Sequence, residues 1–122
     1  MLLPNNYTAV ASSGSSWSVT FTVQNEDGTP VDITNKTFEF VVRNRLTTVG
    51  TVLFSVSSTA TNQYGGIVVN VETASVQVVL TPTATTSVPE GGGPYTLWMD
   101  PNLSDATALV TGMFYTNLVA EP

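Results

Sequence analysis

The chain contains no cysteine and no histidine. A disulfide framework is therefore excluded, and so is any zinc site built on those two residues. Nucleophile–histidine catalysis is excluded with them. Basic residues are nearly as scarce. Lys36, Arg43 and Arg45 stand against nine acidic residues, for a net charge of −6. Nucleic-acid affinity comes mainly from cations that neutralise phosphates, so this composition argues against DNA or RNA as a direct partner. An anionic membrane surface is disfavoured for the same reason. No run approaches the roughly 18 consecutive apolar residues of a membrane helix. The opening Met1-Leu-Leu-Pro-Asn-Asn6 lacks the basic start and apolar run of a secretory signal, so the chain is expected to be made and kept in a cytoplasm, or released by lysis. Charged residues are only 10% of the chain, against about 25% in a typical soluble domain. The polar surface must come from Ser, Thr, Asn and Gln, which do not repel one another. Such a surface suits a protein covered by neighbours, although a neutral extracellular domain has the same composition.

What is present is alternation. At 122 residues the chain has the length of one domain. Trp17, Val19, Phe21 and Val23 alternate with Ser18, Thr20, Thr22 and Gln24, the period-two pattern of a half-buried strand. Phe38, Phe40 and Val42 repeat it, as do Val52, Phe54 and Val56. Further strands are expected over Ile67–Glu72, Val76–Leu80, Tyr95–Met99 and Leu109–Val119, with a short edge segment at Val31–Thr34. Asp27-Gly28, Gly65-Gly66 and Pro101–Thr107 read as turns. Pro82–Pro89 has room for a single helical turn, and Glu90-Gly-Gly-Gly-Pro94 reads as a flexible link. Gly112 marks a bulge or a close backbone approach. No segment keeps a 3.6-residue period. Seven to eight short strands predict an all-β sandwich of two antiparallel sheets, with Trp17, Val19, Phe21, Phe38, Phe40, Val42, Val78, Leu80, Tyr95 and Leu97 in its core.

Residues 1–16 read as an extended N-terminal arm, and residues 17–122 as the single β-sandwich domain. The arm has an apolar tip, Leu2 and Leu3, followed by Tyr7 and a Ser/Gly stretch. It is expected to be mobile in the free protein and to dock Leu2, Leu3 and Tyr7 on a neighbour. Deleting residues 2–12 would then leave stability nearly unchanged.

Few residues invite chemistry. Glu26/Asp27 and Asp100/Asp105 sit on turns, where carboxylates usually solvate or cap the chain. Asp100-Pro-Asn-Leu-Ser-Asp105 offers oxygen ligands for calcium, but in no EF-hand spacing. Gly91-Gly92-Gly93 lacks the Lys-Ser/Thr of a phosphate loop. No cofactor and no catalytic residue are expected. Trp98 opposes the Tyr95/Leu97/Met99 face and is expected at a contact or under a loop.

The ordered signals also resemble a known set. Gly14-Ser-Ser-Trp-Ser-Val-Thr-Phe-Thr-Val leads to Asp27-Gly-Thr-Pro-Val-Asp-Ile-Thr and Phe38-Glu-Phe-Val-Val-Arg43. Gly66-Ile-Val-Val-Asn-Val leads to Val78-Val-Leu-Thr-Pro-Thr-Ala-Thr-Thr-Ser-Val-Pro89. Tyr95-Thr-Leu-Trp-Met-Asp-Pro is followed by Leu109-Val-Thr-Gly-Met-Phe. Over about residues 14–116 this is similar to the immunoglobulin-like domain at the N-terminus of phage baseplate upper proteins, and to free-standing phage virion proteins. The resemblance implies an immunoglobulin-like sandwich and a non-enzymatic structural protein of a bacteriophage tail or baseplate. Its expected partners are other virion proteins, met as a homo-oligomer or as many copies on a symmetric assembly. A capsid decoration protein is the alternative that the short, low-charge chain suggests. A carbohydrate-binding adhesin module, built on Trp98, is the alternative from a different class.

Overall fold

A β-branched or aromatic residue at every second position gives a strand one apolar face, and two sheets of such strands must cover each other's faces. The computed structural model describes residues 5–44 and 50–117. Leu2 and Leu3 lie outside the described residues. Nine strands follow in order: β1 (Asn5–Asn6), β2 (Ala9–Ser12), β3 (Trp17–Thr22), β4 (Phe38–Arg43), β5 (Val52–Ser57), β6 (Gly65–Asn70), β7 (Ser75–Leu80), β8 (Gly93–Met99) and β9 (Thr107–Asn117). A five-residue helix, α1 (Pro82–Thr86), lies between β7 and β8, with its proline in the first turn where the missing N–H costs nothing.

The strands form an all-β sandwich. The larger sheet runs β1-β9-β8-β4-β5, with β2 also paired to β9, and the smaller runs β3-β7-β6. Two expectations need correction. The larger sheet is not wholly antiparallel, because β1 and β2 pair with β9 in parallel. Val31–Thr34 is not a strand. It is loop, with Ile33 driven fully into the core.

The core sits between the sheets. Phe38, Phe40, Val42, Val78, Leu80, Tyr95 and Leu97 are buried as expected. Phe40 is central, with ring centroids 5.0 Å from Tyr95, 6.3 Å from Phe114 and 6.5 Å from Trp17. Burying one such side chain contributes about 1.5–3 kcal/mol. Trp17, Val19 and Phe21 depart from the expectation. They pack against the core but stay half-buried, because β3 is an edge strand of the smaller sheet. Phe114 and Phe54 complete the core from β9 and β5.

The glycine link is not loose. Gly91 and Gly92 hold positive φ of 88° and 74°, and Gly92 N–H donates to the Pro89 carbonyl at 3.0 Å. A Cβ on Gly92 would collide with the Phe114 carbonyl oxygen, so the turn needs glycine for space as well as conformation.

Candidate interaction surfaces

The N-terminal segment is part of the sandwich, which corrects the expectation of a free arm for residues 5–12. β1 and β2 are one strand in one continuous register, Asn5 opposite Val110 through Ser12 opposite Asn117, broken only at Tyr7-Thr8. Ala9 and Ala11 face inward and are buried. At the break, Tyr7 N–H donates to the Thr111 carbonyl at 3.0 Å. The Tyr7 carbonyl turns inward and accepts the hydroxyl of Tyr95. Tyr95 stands opposite Gly112 on β9, and a Cβ on Gly112 would strike that same Tyr7 carbonyl oxygen. The close approach foreseen at Gly112 is therefore the approach of Tyr7. Burial pushes the Tyr95 phenol up to about 12, with a smaller contribution from the neighbouring Tyr7. The deletion of residues 2–12 would remove core-facing alanines and this tie, so it would not leave stability unchanged.

The turn after β2 is fixed as well. The Thr85 hydroxyl on α1 donates to the Ser15 carbonyl at 2.9 Å and accepts the Gly14 N–H at 3.1 Å. The Ser/Gly stretch that reads as flexible is thus tied to a buried threonine.

The Tyr7 side chain is exposed, with its ring edge-on to Phe21 at 5.6 Å. It stands at the rim of a cleft of about 380 Å³ between β1 and β3, lined by Val19, Phe21, Val23, Leu97 and Val110. The two sheets do not close on this side. Trp98 lies elsewhere, half-buried on the outer face of the larger sheet. It shares a shallow hollow with Val41, Arg43, Pro94 and Thr96. The structure therefore does not bring Tyr7 and Trp98 together.

Of the candidate carboxylates, Asp27 and Asp100 are hydrogen-bonded within the fold, as is Asp32. Asp27 Oδ1 accepts from Thr29 N–H at 3.0 Å and from Thr29 Oγ1 at 2.6 Å. Asp32 repeats this with Thr34 at the same two distances. Both carboxyls are held below the usual value, first by the threonine hydroxyl and then by its amide. Asp100 is buried, at a positive φ of 52°. Its Oδ1 accepts the Thr37 N–H at 2.9 Å, and its Oδ2 pairs with Lys36 Nζ at 3.3 Å. Its carboxyl is held low chiefly by the Thr37 amide, with Lys36 assisting. Asp100 thus joins two loops, which accounts for its carboxylate without a calcium ion.

A surface that pattern reading did not isolate is the outer face of β3-β7-β6. The registers align Ser18, Val79 and Gly66 in one row, Thr20, Gln77 and Val68 in the next, and Thr22, Ser75 and Asn70 in the third. None of these nine positions is charged, and Val68 is 57% exposed. Most of the acidic residues are gathered instead on the loops at one end of the sandwich. Val23 N–H donates to the Ala74 carbonyl, and Asp100 N–H to the Thr37 carbonyl, which binds these loops together. They carry Glu26, Asp27, Asp32, Glu72, Asp100 and Asp105 against Lys36 alone. The alternation of β3 and β7 held this signal, but only the register shows that the uncharged residues form one face.

Comparison of the sequence with known protein families, and with characterised proteins, finds no match.

Proposed function

We propose that this chain is a non-enzymatic structural protein of a bacteriophage virion, a tail or baseplate component that assembles through protein–protein contacts. The observation that carries the reading is the sorting of charge. The core of a protein interface is depleted in charged residues. Here the outer face of a three-stranded sheet has none, while six of the nine acidic residues gather on the loops at one end. The strand order β1-β9-β8-β4-β5 over β3-β7-β6 supports the immunoglobulin-like resemblance on which the virion assignment rests.

Val68→Glu combined with Gln77→Glu places two carboxylates in the middle of that face. Both side chains point away from the core, so the variant is expected to fold and to be lost from purified particles. Quantitative mass spectrometry of particles made with each form measures this. Normal incorporation of the variant would reject the face as an assembly surface. Electron cryomicroscopy of the particle distinguishes tail or baseplate from capsid decoration. The hollow beside Trp98 and Arg43 favours a second reading, a carbohydrate-binding module. Glycan binding that is lost in Trp98→Ala would establish it over the first.

A further inference from the structure

We infer that the free edge of β3 is a receptor for one extended segment of a partner protein, which adds antiparallel to β3 and fills the cleft beside β1. This rests on the reading that the chain works by protein–protein contacts, and it names a different surface for them.

The phase of the β3 hydrogen bonds identifies the free groups. Val23 N–H donates to the Ala74 carbonyl, continuing the β3–β7 ladder, so the odd-numbered residues of β3 exchange their backbone bonds with β7. The N–H and C=O groups of Ser18, Thr20 and Thr22 therefore point to the other edge, where no strand among the described residues pairs with them. Edge strands are usually guarded by charge, proline or a covering loop. β3, Trp-Ser-Val-Thr-Phe-Thr, has neither charge nor proline. Its inward residues Trp17, Val19 and Phe21 are half-buried although they belong to the core face.

The cleft states what fits. Its floor comes from the larger sheet, through Leu97 and Val110, which extends beneath the place a further strand of the smaller sheet would take. A single strand can lie on that floor beside β3. A second copy offering its own β3 is disfavoured, because that strand carries no cation to meet Glu26 beside the cleft. Alternate side chains of the incoming strand would enter the cleft, and the others would extend the uncharged outer face. The cleft is rimmed by Asn5 and Gln24, and the adjoining hollow is lined by Asn25 and Glu26. An antiparallel segment has its N-terminal end there, at the C-terminal end of β3. The recognised chemistry is therefore a Lys or Arg followed by alternating apolar and small polar residues.

The test uses the full chain and a fluorescent peptide, Lys-Val-Thr-Val-Thr-Val-Thr, read by anisotropy. A peptide of the same composition with its valines consecutive serves as the control. Thr20→Pro removes one outward N–H and leaves the β7 ladder intact, which an edge strand tolerates. Saturable binding is expected, at least tenfold weaker for the control and for Thr20→Pro, and weaker for Glu26→Gln. Peptide-induced slowing of amide exchange at Ser18, Thr20 and Thr22 in the unaltered chain gives a second reading that does not depend on the variant's folding. No binding, or equal binding by the control peptide, would overturn the proposal. Self-association abolished by Thr20→Pro would also overturn it, by making a second copy the occupant. If the peptide fails while Val68→Glu/Gln77→Glu still blocks incorporation, the edge proposal falls and the assembly reading stands.

Discussion

Tyr95 is the residue on which the N-terminal strand depends. Its ring is in the core against Phe40, and its hydroxyl crosses Gly112 to reach the Tyr7 carbonyl. The phenol is pushed up to about 12 in the fold, against about 10 in an unfolded chain. The folded state therefore keeps the proton where the unfolded state loses it. This stabilisation is fully present below about pH 10 and is lost as pH rises through about 12. Tyr95→Phe keeps the ring but leaves the Tyr7 carbonyl without its donor. It is expected to cost about 1–3 kcal/mol at neutral pH and to show a flatter alkaline limb. Urea denaturation at several pH values between 8 and 12 measures both effects. Parallel curves for the two proteins would mean that the hydroxyl does not couple to folding.

At the scale of elements, the strands that were legible are those whose alternation carries large side chains. β4, with Phe38, Phe40 and Val42 on one face, lies where its pattern puts it. β7 and β8 do so as well. The strand β1–β2 was not legible. Its inward residues are only Ala9 and Ala11, and its pairing is with the far end of the chain. Local Ser and Gly suggest a loose segment, whereas the order is imposed from outside by Tyr95, Thr85 and the open edge of β9. The half-burial of β3 was invisible for a related reason, since alternation marks the inward face and not the strand's place in a sheet. Of the residues named for partner binding, Tyr7 stands at the cleft and Trp98 on another face. The cleft itself is a property of how the sheets meet. Gly112→Ala tests the N-terminal strand as an element. Its Cβ would press on the Tyr7 carbonyl, and overpacking of this kind costs about 1–3 kcal/mol. Hydrogen exchange should speed up at the β2 amides and remain slow at those of β7. Uniform acceleration would mean that β1–β2 and the sandwich open as one unit.

Over the whole molecule, charge separates into an acidic loop end and an uncharged outer face on the smaller sheet, and Asp100 is where the acidic end meets the core. Its neighbours among the carboxylates are mostly solvated. Asp27 and Asp32 are exposed, and each is bonded within its own turn. Protonating them relieves repulsion at that end while it weakens their turn bonds, so their net effect on folding is small. Asp100 differs because it is buried and joins the loop before β4 to the loop after β8, through Thr37 and Lys36. Its folded carboxyl is held below the ordinary value of 3.8. The stabilisation is thus present above that value and is lost as pH falls through the lower, folded one. Asp100→Asn tests this, because Asn tolerates the positive φ and can still accept the Thr37 N–H. It removes the pairing with Lys36 and the proton linkage. The variant is expected to be less stable at pH 7 by about 1.5–3 kcal/mol, the range for hydrogen bonds to a charged group. It should approach the unaltered protein as the pH falls through the lowered value of the folded carboxyl and Asp100 itself takes up its proton. Denaturant titrations across the acid range read the difference directly. A gap that stays constant down to the lowest pH would show that Asp100 acts through the shape of its loop alone, and that the acid sensitivity of the fold lies among the other carboxylates of the acidic end.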